Sequence, residues 1–154
     1  MNPRIKLLNG LLVLGLALGA VGAPSVSAAA AGTGKITCDG DGTLVFTGDF
    51  ATLSLSTLAG AVVYTKPTKG ALAIASGSTF VKHVAGNTTL RIGGGSMTAK
   101  GVKGIKLTLS GANAHLEATG AGKLVVRGEG ECVTESGQTY TWKSNKDTTV
   151  DVIQ

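Results

Sequence analysis

One phrase occurs twice in this chain, and it admits few folds. ITCDGDGTLVFTG runs from Ile36 to Gly48, and LEATGAGKLVVRG runs from Leu116 to Gly128. Aligned, Gly40 matches Gly120, Gly42 matches Gly122, Leu44 matches Leu124, Val45 matches Val125 and Gly48 matches Gly128. Side chains of an extended strand alternate between two faces, so Leu44 and Phe46 point one way while Thr43, Val45 and Thr47 point the other. The glycines of the Gly-x-Gly corner permit positive φ or close approach of two backbones. Each phrase therefore predicts short strands bent at a glycine corner.

The alternation continues through the chain. Leu53 and Leu55 alternate with Thr52, Ser54 and Ser56, Leu90 and Ile92 flank Arg91, and Ile105, Leu107 and Leu109 alternate with Lys106, Thr108 and Ser110. Strand centres fall near 45, 54, 62, 73, 81, 90, 98, 107, 116 and 125, a spacing of about nine. Turn residues sit between them, among them KPTKG, AGN, GGGS, KGVKG and TGAG. The pattern predicts an all-β fold, either a β-roll or β-solenoid-like coil or a β-sandwich. A solenoid coil of two or three such strands would take about 18–27 residues. The end of the chain reads as an antiparallel meander: ECVT, QTYTWK and TTVDVIQ are joined by ESG and SNKD, turns of hairpin length. Tyr140 and Trp142 share one face there and are expected over the end of the core.

The N-terminus carries different information. Arg4 and Lys6 precede an apolar run from Leu7 to Gly22, Pro24 breaks it, and Val26–Ala28 has the small-residue pattern of a cleavage site. Residues 1–28 are expected to be a signal peptide cut after Ala28, too short in its apolar part to span a bilayer. Residues 29–34 then form a short linker and 35–154 a single β domain, placed in the periplasm or secreted, with no transmembrane segment in the mature chain. Removing Arg4 and Lys6 from the 14 basic residues leaves 12 against 9 acidic ones, a mature charge of +3. That is an ordinary solubility charge and gives no argument for nucleic acid.

Cys38 and Cys132 are the two cysteines. Neither has a CxxC partner or an adjacent histidine, and an isolated pair in an exported chain is expected to form a disulfide.

Candidate chemistry is sparse. His115 and Glu117 are two apart on a strand, but zinc needs a third ligand and the spacing supplies none. Asp39 and Asp41 sit among glycines in TCDGDGT, without the order of an EF-hand or of a calcium-binding nonapeptide. Glu129 and Glu131 have a glycosidase-like separation that every Glu-x-Glu strand shares. No metal, cofactor or catalytic residue is expected. Lys100, Lys103 and Lys106 form the densest basic run. A binding surface, if the chain has one, is expected to draw on Arg91, Lys106, Lys123 and Arg127 as a basic face, or on Tyr140 and Trp142 as an aromatic platform. Asn87-Thr88-Thr89 matches a glycosylation sequon.

The recurring Gly-x-Gly-x-Leu-Val phrase, with LTLSGANAHLEATGAG, resembles small glycine-rich exported bacterial β-domains, among them the head domains proposed for autotransporter-type adhesins. The likeness covers roughly Gly34 to Glu131. It implies a β fold and a place at or beyond the envelope, and it carries over no catalytic or binding residue. Together these readings lead to an exported, non-catalytic structural or binding module of the envelope or extracellular space. The alternative is an adhesin-like or carbohydrate-binding protein that recognises an anionic polysaccharide or another envelope component.

Overall fold

The computed structural model describes residues 34–152; the expected signal peptide and most of the linker lie outside them. The fold is all-β, with six strands in one antiparallel sheet: β1 (Gly34–Thr65), β2 (Leu72–Ile74), β3 (Val81–Ala85), β4 (Thr88–Thr134), β5 (Thr139–Trp142) and β6 (Thr148–Asp151). Two of them are far longer than an ordinary strand, β1 with 32 residues and β4 with 47.

Their register explains how such lengths fit into one core. Gly120 of β4 pairs with Gly34 on one side and with Phe50 on the other. Neighbouring strands lie about 4.8 Å apart, so Gly34 and Phe50 are separated by only about 10 Å across the sheet. Their sequence separation of 16 would reach about 50 Å if the strand were straight. The β1–β4 ribbon must therefore wind back on itself. Phe46 likewise pairs with both Leu107 and Leu124, which sets one turn of the coil at a sequence separation of 17. The winding is solenoid-like and the pairing is sandwich-like: every ladder is antiparallel.

Each turn has two corners, so the coil has two layers. One corner gathers Gly40, Gly42, Gly60, Gly93, Gly111, Gly128 and Gly130; the other gathers Gly48, Gly101, Gly104, Gly120 and Gly122. The need for glycine is clearest at Gly42 and Gly128, which are register partners with φ of +139° and +135°. A Cβ on Gly42 would lie 2.8 Å from the Gly128 Cα and closer still to the Arg127 carbonyl oxygen. Between corners the arms are short, which is why the hydrophobic pattern recurs about every nine residues.

The two like-sequenced phrases lie side by side. Leu44 pairs with Val126, Phe46 with Leu124, Gly42 with Gly128 and Gly48 with Gly122. The glycine corner of each therefore meets the terminal glycine of the other.

The core lies between the layers. Ile36, Cys38, Leu44, Phe46 and Phe50 of β1 meet Leu107, Leu109, Leu116, Leu124 and Val126 of β4, all at most 2% exposed. Burying each of these larger side chains contributes about 1.5–3 kcal/mol. Phe46 and Phe50 stack with ring centroids 4.0 Å apart. Past Phe50 the inward positions change parity to Leu53 and Leu55: Ala51 pairs in neither ladder, and opposite Gly120 and Thr119 it is the extra residue of a bulge.

Both sheet edges are broken strands. On one edge β2 and β3 flank a corner and both pair with β4. On the other edge the closing segment is antiparallel, as its hairpin turns predict, with one difference: β6 takes β4, not β5, as its partner. SNKD is thus a looped-out corner of the last winding.

Candidate functional site

Alternation along β1 and β4 builds two outer faces, one on each layer. The first carries Lys35, Thr37 and Asp39 beside Thr119, Glu117 and His115, with Thr52, Ser54 and Ser56 on the far side. His115 Nδ1 lies 2.6 Å from Asp39 Oδ1, and Lys35 Nζ lies 2.7 Å from Glu117 Oε1. His115 and Glu117 share this face, but each is engaged by a different β1 residue. The hydrogen bond from Lys35, then its positive charge, holds the Glu117 carboxyl below the usual carboxylate range. The same hydrogen bond and then the Glu117 charge raise the Lys35 ammonium above its usual value.

His115 also has Ser56 as a register partner, on the side away from Asp39. This order of Asp39, His115 and Ser56 across three adjacent arms was not legible in the sequence, where the residues are far apart. The Asp39 carboxylate fixes the ring, and the Ser56 hydroxyl makes no hydrogen bond to it. The row stands on an open outer face, with the His115 side chain 38% exposed. Glu131 pairs with Asp39 across the next strand and extends the polar row, whereas Glu129 sits in the glycine corner opposite Asp41. Among the described residues, no group of three His, Cys, Asp or Glu side chains is placed to hold a metal ion. Asp41 instead braces a turn. Its Oδ1 accepts a hydrogen bond of 2.7 Å from the Asn113 N–H, where Asn113 turns the chain at φ +49°.

The second outer face carries the basic positions. Lys106 and Lys123 both pair with Thr47 and flank it on one face. Arg127 stands on the same face two residues beyond Val125, with its Nε 2.9 Å from Asp147 Oδ1. Arg91 does not join them. It pairs with Val62, a core residue, so its side chain falls on the inner side of the sheet, where its Nε is buried without a hydrogen-bond partner. The expected basic face is therefore split by the register.

Tyr140 and Trp142 face inward. Trp142 is 2% exposed and its indole N–H donates to Cys132 Sγ over 3.1 Å. Tyr140 is half-buried against the core. Cys38 and Cys132 are direct register partners joined by a disulfide, with their Cα atoms 4.0 Å apart and a sequence separation of 94. The narrow spacing belongs to a non-hydrogen-bonded antiparallel pair. The tryptophan thus covers the bridge from within. Asn87, the sequon residue, is exposed at the β3–β4 hairpin and its carbonyl accepts a 2.6 Å hydrogen bond from the Lys66 N–H.

A further basic cluster forms at the corner between the two faces. Residues 66–70 cross this corner beside residues 100–106: the Lys103 N–H donates to the Lys69 carbonyl over 3.0 Å, and the Thr68 N–H donates to the Lys103 carbonyl over 2.9 Å. Lys66, Lys69, Lys100, Lys103 and Lys106 are all exposed. The run 100–106 is visible in the sequence; its junction with Lys66 and Lys69 is not. One signal was available. Between Phe50 and Leu116 the chain has seven Lys and Arg residues and no Asp or Glu, so whatever this segment builds must be basic.

The fold is that of an all-β protein wound from one antiparallel ribbon and closed by a disulfide. No protein family matches the chain, no curated protein matches it, and no solved structure matches it.

Proposed function

We propose that this chain is an exported, non-catalytic β module that serves a structural or binding role in the envelope or the extracellular space. The observation that carries the reading is the Cys38–Cys132 bridge, fully buried across adjacent strands and covered by Trp142. Such a bridge persists in an oxidising compartment and is rare where glutathione keeps thiols reduced. The polar groups support the same reading. Lys35 with Glu117, Asp39 with His115 and Arg127 with Asp147 are tied in cross-strand or edge pairs on outer faces, as in a surface built for contact. Among the described residues no helix is long and apolar enough to cross a membrane.

The test is to express the full chain in a bacterial host, fractionate the cells and read the mature N-terminus and thiol state by mass spectrometry. The proposal expects a chain cut near Ala28, outside the cytoplasm, with both cysteines oxidised. Recovery as a full-length reduced protein in the cytoplasm would overturn it. So would turnover of any substrate that depends on His115, Glu117 or Glu129.

A further inference from the structure

We infer that the corner carrying Lys66, Lys69, Lys100, Lys103 and Lys106 is a binding site for an anionic polysaccharide, an inference that rests on the binding role proposed above. The five lysines come from two segments more than thirty residues apart, and the coil sets those segments side by side. Lys69 and Lys103 are direct bridge partners, an arrangement in which like charges repel. None of the five takes part in an ion pair among the described residues, although Lys35, Arg127 and His115 all find carboxylates. The one carboxylate at this corner, Asp49, accepts the Gly104 N–H over 2.8 Å and lies within the turn itself. The corner is thus a concentration of positive charge, five ammonium groups against one carboxylate, in which no lysine is ion-paired among the described residues.

Its shape selects among polyanions. The lysines lie on two adjacent arms that bend round the corner, so a linear chain laid across those arms meets both sets. Beside Lys103 lies a hollow of about 280 Å³ with Phe50, Ala51, Val102 and Ala121 as an apolar seat for the C–H face of a sugar ring; Asp49 also lines it, with its Oδ1 held by the Gly104 N–H. The charges are ammonium groups, compact point charges that meet the oxygens of separate anionic groups one at a time. The tips of the turns are Thr68, Gly70, Gly101 and Gly104, with no large apolar side chain to enter a bilayer.

The experiment measures retention of the full chain on immobilised polygalacturonate, on dextran sulfate and on neutral dextran, at stepped salt. Two variants of equal charge loss are compared: Lys69→Gln with Lys103→Gln, and Lys143→Gln with Lys146→Gln. The second pair is also a bridged lysine pair, placed on the opposite sheet edge. All four residues are exposed, and a thermal melt confirms that both variants fold. Wild type should bind one or both anionic matrices and ignore neutral dextran, with affinity falling as salt rises. The corner variant should lose about tenfold in affinity and show a shallower salt slope, while the edge variant changes by less than about twofold. The two matrices separate carboxylate from sulfate as the recognised group. Equal losses in both variants would show that net charge alone governs retention and would overturn the site. Tighter binding to phosphatidylglycerol vesicles than to either polysaccharide would overturn the ligand class. A correctly exported, oxidised protein that ignores both matrices overturns this inference and leaves the proposed role standing; a reduced cytoplasmic chain overturns the role itself.

Discussion

Val45 and Val125 face each other as register partners on β1 and β4, and they also hold the same place in the two copies of the glycine-cornered phrase. A local two-fold relation therefore passes between them. Each copy supplies what the other needs: Gly42 meets Gly128 and Gly48 meets Gly122, so two backbones can close together where a Cβ on either side would intrude. The phrase is written twice because the strand it encodes is its own antiparallel complement.

That closeness makes Gly42→Ala a severe change. The backbone conformation alone costs about 1–3 kcal/mol for a residue with a side chain, and contact with the Arg127 carbonyl adds to it. Denaturant unfolding should show a loss of at least about 2 kcal/mol. Gly137→Asn is the comparison: Gly137 is at φ +80° in the β4–β5 turn with nothing within 4 Å of an added Cβ. Asparagine visits this region readily, so the variant should lose less than about 1 kcal/mol. Equal losses would remove the close approach as the reason for glycine at 42.

The bridge closes a long loop. In the chain-entropy account a loop of this length is worth about 4–5 kcal/mol, and residual structure in the reduced, unfolded chain lowers what is realised. The Cys38→Ala, Cys132→Ala double variant should melt roughly 10–20 °C below wild type in calorimetry. Thiol titration of the unfolded, unreduced wild type should find no free sulfhydryl.

Trp142 is the sole tryptophan and touches the bridge. Disulfides quench a neighbouring indole, so native emission should be blue-shifted by burial and weak. Reduction under native conditions should raise its intensity while the far-ultraviolet spectrum holds. A bright signal from the oxidised protein would contradict the Trp142–Cys132 contact.

Lys35 and Glu117 give the fold a pH dependence at both ends. The Glu117 carboxyl titrates below its unfolded value, so its stabilisation is present above the unfolded pKa and is lost as pH falls through the folded one. The Lys35 ammonium titrates above its unfolded value, so its share is present below that value and is lost as pH rises through the folded one. In Lys35→Ala the Glu117 midpoint, followed by carboxyl-carbon NMR, should move upward toward 4.5. An unchanged midpoint would mean that the pair does not form in solution.

The strand arms and their core sides could be read directly from the chain. Apolar residues at 44 and 46, 53 and 55, and 107 and 109 are period-two patterns, and burial follows them because alternation is a local property of an extended backbone. The glycine corners were legible for the same reason. Pairing was not. Short alternating arms serve a parallel solenoid and an antiparallel sandwich equally well, and only the contacts of distant residues distinguish them.

The sequence by itself determined an all-β chain, its corners, its inward residues and the pair of sulfurs that would meet. Tertiary structure alone decided that one ribbon winds on itself about every 17 residues, so that Phe46 touches Leu107 and Leu124 together. It also decided that Arg91 faces inward, that Trp142 covers the disulfide, and that Lys66 and Lys69 join the lysines of 100–106. The division has a physical cause. Side-chain alternation is set within a few residues by backbone geometry, whereas register is set by which glycines allow two backbones to approach, and those glycines lie 33 to 90 positions apart in the chain.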